Sequence, residues 1–360
     1  MHPDETISSW ICRSIDFFHY GVGPAIPEHV KNLIVERVGA GDFDYGYDHR
    51  DLEMLATWRR DSASQAAVVS LDGINLASRL RPEQRIQFCP SCVIEDLRSW
   101  RTPIWRHQWG SLYYAVCEKH FETLRSLSGT FNCTDIFQRG SQASRCVIDS
   151  ISESSEYTRL TDANEFLLDA QPFIEKAPYA AITQLMVALC LRVQGDISDR
   201  MNKSEFIQDG YLRALTDMYR VMLRAHRRGT ESIPFCFHIA DKLKKTLYLP
   251  SLKKSYSVNE MLTGYKDRLD PHSRMVALAL LGVIFNNSES EHAWSEIADL
   301  FNSYGVLMPK SPSVLFGLVT GAQEIGIRNW IASQSINIYP ETIGNRLLEL
   351  DSRSNKFINR

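Results

Sequence analysis

The sequence contains no hydrophobic run long enough to cross a membrane and no secretion signal. Its longest apolar stretch, residues 275–285, is about half of the roughly 20 residues that a membrane-spanning helix requires. The first six residues lack the basic segment and the apolar core of a signal peptide. These absences predict a soluble, cytoplasmic protein that makes no contact with a membrane.

A framework of paired cysteines, which would indicate a disulfide-stabilised protein, is also missing. The sequence has eight cysteines. Five of them stand singly and far from one another along the chain: Cys12, Cys133, Cys146, Cys190 and Cys236. Isolated thiols are typical of a reducing compartment, so we predict no structural disulfides.

The motifs of the common enzyme classes are absent as well. The sequence has no glycine-rich phosphate-binding loop, no G-x-S-x-G nucleophile elbow and no H-E-x-x-H metalloprotease helix. Acidic residues are plentiful, so a metal-dependent nuclease stays open as an alternative, although no trio of carboxylates stands out. We therefore predict that the protein is not an enzyme.

Two pairs of metal-ligand residues are the strongest feature of the sequence. Cys89 and Cys92 form a C-x-x-C pair, and after 24 intervening residues Cys117 and His120 form a C-x-x-H pair. Two such pairs suit a tetrahedral zinc ion in an arrangement of the zinc-ribbon or treble-clef kind. Because a closed Cys3His shell leaves no position for a substrate, we predict one structural Zn2+ as the cofactor.

Three alternatives at this site are less favoured. His107 would compete with His120 as a ligand, but only His120 has the pair spacing. A zinc deaminase needs H-x-E before its C-x-x-C pair, whereas here the cysteine pair comes first and residues 107–109 lack the glutamate. Cys133 and Cys146 have no C-x-x-C partner, so we predict no second zinc ion.

The remaining pattern predicts a mainly α protein of three parts. Residues 1–80 are predicted to form an N-terminal helix-turn-helix-like domain, residues 81–150 a small zinc-ribbon-like module and residues 151–360 a helical C-terminal domain. In the first part, apolar residues recur at helical spacing in four segments: 3–18, 27–38, 51–60 and 62–70. The last two segments, joined near Asp61, resemble a helix-turn-helix, although plain packed helices are the commoner case.

Between the ligand pairs lie several aromatic and basic residues. Trp100, Trp105 and Trp109 are predicted to pack around the metal, because so small a module has little other core. Arg106 and His107 would either orient the site or meet a partner.

The serine-rich residues 141–155 predict a connector to the C-terminal domain. Within that domain, residues 182–193 and 206–228 show helical periodicity. The second of these helices has an apolar side made by Leu212, Leu215, Met218, Val221 and Met222.

A basic stretch follows that helix. Residues 220–254 contain nine basic and two acidic residues, a local charge of +7, in a chain whose net charge is −3. Clustered cations bind phosphates, and Tyr219 and Tyr248 would offer rings for stacking on bases. The candidate contact residues here are Arg220, Arg224, Arg227, Arg228, Lys244 and Lys245. A solvated helix end is an equally good interpretation.

A second candidate helix-turn-helix lies near the C-terminus. One predicted helix ends near Gln334, residues 336–338 form the turn, and Pro340 begins the next helix. Asn345 and Arg346 on this second helix would be exposed to a major groove. A plain helical hairpin is the alternative.

Taken together, two groups of motifs resemble the TniQ/TnsD family of transposition proteins. The first is FCPSC at residues 88–92 with Glu95 and Asp96, WRHQ at residues 105–108, and CEKH at residues 117–120 with Leu124. The second is residues 4–13, which resemble the family's opening ES-x-x-SW-x-x-R segment. The resemblance covers about the first 130 residues, and the C-terminal half has no motif that aligns.

The resemblance implies a factor that selects the target of a bacterial transposon without cutting or joining DNA. Family members combine a helix-turn-helix, a zinc-binding region and a helical C-terminal part, and they recruit the transposon's AAA+ regulator. Carried onto this chain, the zinc ligands are Cys89, Cys92, Cys117 and His120. The sequence departs from the family in lacking a second C-x-x-C pair and in its unmatched C-terminal half.

Two modes of target selection follow from the resemblance. Some members act, often as homodimers, on a CRISPR Cascade-type ribonucleoprotein, so that a guide RNA supplies the sequence and DNA is reached through the complex. Others recognise a DNA attachment site directly. The net charge of −3 and the length of 360 residues favour the adaptor, whereas the basic stretch would serve direct recognition.

Overall fold

A computed structural model describes residues 5–19, 28–39, 44, 51, 54–55, 79–99, 103–127, 139–152, 180–203, 210–224, 235–244, 257–263, 270–285, 288–320 and 325–358. Within these residues the protein has 13 α-helices and only two-residue strands, so the predicted mainly α class is confirmed. The predicted helix-turn-helix near Asp61 lies outside the described residues.

The helices are, in chain order, α1 (Ile7–His19), α2 (Glu28–Gly39), α3 (Pro90–Arg98), α4 (Arg139–Ser152), α5 (Ala180–Lys203), α6 (Gly210–Met222), α7 (Phe235–Lys244), α8 (Val258–Thr263), α9 (Pro271–Phe285), α10 (Ser288–Ser303), α11 (Pro312–Thr320), α12 (Ile325–Asn337) and α13 (Glu341–Ile358). The strands are β1 (Gln87–Phe88), β2 (Val116–Cys117), β3 (Glu122–Thr123) and β4 (Arg125–Ser126). Two 3-10 helices span Pro82–Gln84 and His107–Gly110. β1 pairs with β4 and β2 pairs with β3.

The chain divides into two compact units. The first comprises residues 1–120 and 124–174, and the second comprises residues 121–123 and 175–360. The first unit therefore contains both the predicted 1–80 domain and most of the predicted 81–150 module.

The apolar core of the first unit lies around the predicted metal ligands. Trp105 and Trp109 are buried with their rings edge to face, 5.2 Å between centroids, and Phe88 packs against Trp105. β1 pairs antiparallel with β4, which sets Phe88 opposite Arg125. The predicted packing of tryptophans in this module holds for these two, while Trp100 lies outside the described residues.

The N-terminal helices form where periodicity predicts them. α1 buries Ile7, Trp10 and Ile11, and α2 buries Val30 and Leu33. These residues recur at three- and four-residue spacing, so that each helix has one apolar face.

The described part of the serine-rich segment, residues 141–152, is helical, so the prediction of a connector is wrong for these residues. Residues 139–152 form α4, and its Ala143 and Val147 join the core around the ligand cysteines, with Cys146 packed against it. Serine is tolerated here because its hydroxyl can bond back to the helix, as Ser144 Oγ does by donating to the Gly140 carbonyl at 2.9 Å.

The second unit is built around α9, which is buried from Pro271 to Ile284. Asp270 caps its start, with Oδ1 accepting the backbone N–H groups of His272 and Ser273 at 3.0 Å each. α5 and α7 pack extensively against α9. A helix apolar on every side must be a central one, because no face of it suits water.

α6 carries the predicted apolar face. Its five predicted residues, Leu212, Leu215, Met218, Val221 and Met222, are all buried. The described helix spans Gly210–Met222, and residues 206–209 and 225–228 of the predicted segment lie outside the described residues.

α5 is the one described helix that is long and apolar enough to cross a membrane by length and composition. Its window Ala180–Met201 is 44% buried inside the protein. Ile182, Met186 and Cys190 on that buried side are at most 3% exposed, which is typical of a helix in a protein core.

α12 and α13 form a hairpin whose backbones touch. A Cβ atom on Gly344 of α13 would lie 2.3 Å from the carbonyl oxygen of Ser335 on α12. α12 continues to Asn337, so the turn falls at residues 338–340 rather than at the predicted 336–338. The Tyr339 hydroxyl donates to Asp217 Oδ2 at 3.1 Å, which ties this turn to α6.

Candidate metal centre

The first ligand pair is formed by the start of α3. Cys89 is the N-cap residue, and its Sγ accepts the backbone N–H of Cys92 at 3.3 Å. Pro90 takes the first helical position, where no backbone N–H is needed. Both thiols therefore lie at a helix N-terminus, whose partial positive charge favours thiolates.

The second ligand pair begins with Cys117, the last residue of β2, in a short hairpin. The Leu124 N–H donates to the Ala115 carbonyl at 2.9 Å and so closes the loop that carries Cys117 and His120. Within that loop, the Glu118 N–H donates to the Tyr114 hydroxyl at 3.2 Å. These bonds fix the backbone from which the second pair projects.

The four predicted ligands come together. The His120 Nδ1 atom lies 3.3 Å from the Sγ atoms of both Cys89 and Cys92, and 3.6 Å from Cys117 Sγ. The Sγ atoms of Cys92 and Cys117 are 3.8 Å apart. All four ligand atoms lie within 4.8 Å of one another, and the three cysteines are buried, so the cluster is close enough to bind a metal ion.

Hydrogen bonds among the cysteines stabilise one thiolate, because the bond between Cys92 and Cys117 raises the pKa of Cys92 while that of Cys117 falls. Hydrogen bonds from Cys89, and after it Cys92, lower the pKa of Cys117. Burial by itself lowers the pKa of the Arg106 guanidinium. The negative charges of Cys92 and Asp96 outweigh burial, so the pKa is raised. Arg106 thus places a permanent cation beside the sulfur atoms, which suits an electron-rich ligand set.

Asp96 and Trp109 hold Arg106 in place. The guanidinium donates to the Asp96 carboxylate at 3.3 Å and lies 5.1 Å from the ring centroid of Trp109. Asp96 also accepts the backbone N–H of Ile104 at 3.0 Å. Of the two roles that the sequence leaves open for Arg106, these contacts favour orienting the site.

Residues at the start of the N-terminal helix are hydrogen-bonded to the chain between the two ligand pairs. The Thr6 N–H donates to the Trp105 carbonyl at 2.8 Å, and the Trp105 N–H donates to Ser9 Oγ at 2.9 Å. Ser9 Oγ in turn donates to the fully buried Glu5 carboxylate at 3.0 Å, and Arg13 forms two 2.7 Å bonds to the same carboxylate. α1 is therefore part of the metal module's framework.

Arg139 is a buried cation whose role no local sequence pattern indicates. Its side chain is 3% exposed, donates to the Arg85 carbonyl at 3.0 Å and pairs with Asp44 at 3.4 Å. It also lies 5.6 Å from the Trp105 ring centroid. Arg139 is the first residue of α4, so it fixes that helix to the module.

His107 is not part of the ligand cluster. It is 8% exposed, and burial lowers the pKa of its imidazole to about 4. Its neutral form is therefore the native one.

We expect His107 to weaken the fold in mild acid. The unfolded chain takes up a proton near its ordinary pKa of about 6.5, and the native chain only near 4, so stability falls as pH drops through this window. The full difference is about 3 kcal/mol. Unfolding by denaturant at several pH values, with zinc in excess, would measure it in the wild type and in His107→Gln. Equal pH dependence in the two proteins would contradict this assignment.

Of the candidate contact residues in the basic stretch that the structure describes, one is buried and another is partly exposed. Arg224 is 1% exposed and donates to the carbonyls of Val221 and Val319 at 2.7 and 2.8 Å, so its prediction as a nucleic-acid contact is wrong. The cation instead satisfies carbonyls at helix ends, a use that charge alone does not distinguish from phosphate binding. Tyr219 is also buried and offers no ring for stacking.

The other candidate contacts have mixed outcomes. Arg220 is 41% exposed at its side chain and pairs with Asp217 at 3.4 Å. On α13, Asn345 is exposed and Arg346 is half-buried. Lys244 ends α7, and its side chain is outside the described part, as are Tyr248 and three of the basic residues: Arg227, Arg228 and Lys245.

Fold and site together define a mainly helical protein with a Cys3His cluster that could hold a metal ion. The chain matches no family model, no curated protein and no solved structure.

Proposed function

We propose that this protein is a TniQ-like target-selection adaptor in DNA transposition, stapled by a structural zinc ion. The observation that carries the proposal is the contact between the two groups of motifs that resemble the family. In the opening segment, Thr6 and Ser9 are hydrogen-bonded to the backbone of Trp105 in the WRHQ segment. Glu5 accepts hydrogen bonds from Ser9 and Arg13 and so holds Ser9 in place. Motifs that are distant in sequence and hydrogen-bonded to each other beside one site are better explained as parts of a single framework than as chance matches.

Zinc is the metal that the donor set favours. Three thiols and one imidazole in tetrahedral array are typical of structural zinc. Bonds of about 2.3 Å to sulfur and 2.0 Å to nitrogen give tetrahedral edges of about 3.8 Å between sulfurs and about 3.5 Å from sulfur to nitrogen. The 3.8 Å between the Cys92 and Cys117 sulfurs and the 3.3–3.6 Å from the three sulfurs to Nδ1 are close to these values.

A zinc ion in this cluster would have a structural role. Cys89, Cys92, Cys117 and His120 would fill all four positions, so none is left for water or substrate. From the resemblance to the TniQ/TnsD family we infer a non-enzymatic protein that acts in the cytoplasm through its partners, a Cascade-type ribonucleoprotein and an AAA+ transposition regulator. In such a complex it would act as a homodimer.

Charge favours the adaptor over a direct DNA reader. Burial removes Arg224 and Tyr219 from the candidate phosphate and base contacts. The α12–α13 hairpin, residues 325–358, has four basic and three acidic residues, a net charge of only +1. Duplex recognition draws most of its affinity from phosphate neutralisation, for which such a hairpin is poorly suited.

Purification of the tagged full-length protein from its host cells tests the proposal. We expect guide-RNA complex subunits, guide RNA and an AAA+ protein to accompany it. Recovery of a single chromosomal DNA site without RNA would overturn the adaptor and support a direct reader.

Direct recognition of an attachment site is the second candidate function, favoured by the exposed Asn345 at the end of a close helical hairpin. A direct reader should bind bare duplex and lose about a thousandfold or more in affinity between 50 and 200 mM salt. The adaptor should bind bare duplex weakly. Asn345→Ala would reduce sequence preference only in a reader.

A further inference from the structure

Glu95 lies directly behind the histidine ligand. It is one turn beyond Cys92 on α3, and its Oε1 atom is 3.0 Å from Nε2 of His120. Its other oxygen, Oε2, pairs with Lys119. Glu95 therefore belongs to the helix of the first ligand pair and contacts His120 and Lys119 in the loop that carries the second pair.

We propose that Glu95 is a positioning residue for the metal centre, and that the 3.0 Å contact of its Oε1 atom holds the imidazole proton of His120 on Nε2. A neutral imidazole has one N–H and one lone pair. Because an ionised carboxylate can only accept, contact with Glu95 places the proton on Nε2 and leaves the lone pair on Nδ1. Nδ1 is the atom that faces the sulfurs of Cys89 and Cys92, at 3.3 Å from each.

The histidine contact matters more than the lysine contact. Lys119 is 63% and Glu95 40% exposed at the side chain, and an ion pair between two such groups contributes little because water screens it. His120 is only 15% exposed, so its ring has few alternatives to Glu95 for satisfying Nε2–H. Carboxylates that orient ligand histidines commonly change metal affinity 10- to 100-fold when removed.

This inference rests on the metal centre and not on the proposed role in transposition. It would stand if the protein proved to have another function.

Competition between the full-length protein and a chromophoric chelator for Zn2+ tests the inference. We expect Glu95→Ala to weaken zinc affinity by about 10- to 100-fold while binding one equivalent. Glu95→Gln keeps an acceptor oxygen and should lose less. Glu118→Gln removes an exposed carboxylate beside Cys117 and should leave the affinity unchanged.

Lys119→Met separates the two contacts of Glu95. It removes the ion pair but leaves the histidine contact, so we expect at most about a fivefold change in zinc affinity. An equal loss in Lys119→Met and Glu95→Ala would show that the ion pair, not the histidine contact, holds the loop, and would overturn the inference.

Nitrogen-15 NMR of the His120 ring shows which nitrogen carries the proton, and a general loss of stability would not change that result. In the zinc-loaded wild type we expect metal on Nδ1 of His120 and a slowly exchanging proton on Nε2. In Glu95→Ala that proton should exchange faster with water. Metal on Nε2, an unchanged exchange rate, or wild-type zinc affinity in Glu95→Ala would each overturn the inference, and a wild type that takes up no zinc would overturn the metal centre with it.

Discussion

Cys89→Ser and Cys117→Ser are each expected to lose the bound zinc and to unfold the first unit. The thiols are core residues as well as ligands, since Cys89, Cys92 and Cys117 are at most 2% exposed among Phe88, Trp105 and their neighbours. Structural zinc supplies about 10–16 kcal/mol in small zinc-finger peptides, so losing one of four ligands should cost at least about 3 kcal/mol.

The loss should extend to the N-terminal helix. Thr6, directly before α1, and Ser9 within it bond to the backbone of Trp105, which lies between the ligand pairs. If that segment loses its metal-bound ends, we expect α1 to become sensitive to protease in the cysteine variants.

Metal analysis, thermal unfolding and limited proteolysis together check this result. Cys146→Ser is the matched control, because Cys146 packs beside the same core and is not a member of the ligand cluster. It should keep one zinc per chain. A cysteine-ligand variant with full zinc content and an unchanged Tm would show that the ligand assignment is wrong.

Gly344→Ala is expected to destabilise the second unit by about 3 kcal/mol or more, because overpacking against a backbone is not relieved by a rotamer change. The added methyl carbon would lie 2.3 Å from the Ser335 carbonyl oxygen, well inside van der Waals contact. α12 and α13 would have to separate, and the Arg328–Asp351 ion pair between them, at 2.6 Å, would have to lengthen.

Gly195→Ala is the control for this variant. Gly195 lies inside α5, and a Cβ there would meet no atom within 4 Å. The same substitution should therefore stabilise the protein by about 0.5–1 kcal/mol, through the helix propensity of alanine alone. Denaturant unfolding of both variants gives the comparison. A Gly344→Ala protein as stable as the wild type would show that the close crossing of α12 and α13 is wrong.

Helices with one apolar face were predictable, because the spacing of their apolar residues is visible within a short stretch of sequence. α1, α2 and α6 lie where the spacing of Trp10, Val30 and Met218 predicts them. α4 was missed because a serine-rich composition resembles a linker, and its helical form depends on a core that other segments supply. The close contact at Gly344 likewise has no local signature, since it exists only once α12 is in place.

The ligand set was predictable for a chemical reason. Cysteine and histidine in C-x-x-C and C-x-x-H pairs reach a common point from a tight turn, whatever the rest of the chain does. The only local sign that Glu95 belongs to the site is its position one turn beyond Cys92. Its contact with His120 forms only when the hairpin that carries His120 is folded onto α3.

The sequence by itself determined the helical class and the four residues of the Cys3His cluster, because both follow from residue spacing over short distances. The tertiary structure decided which charged residues face water. Arg224 and Arg139 resemble surface cations in sequence, yet both are buried. Each donates to a backbone carbonyl far away along the chain, Arg224 to that of Val319 and Arg139 to that of Arg85. A charge indicates what a side chain can bind, and only the packing around it determines which partner is within reach.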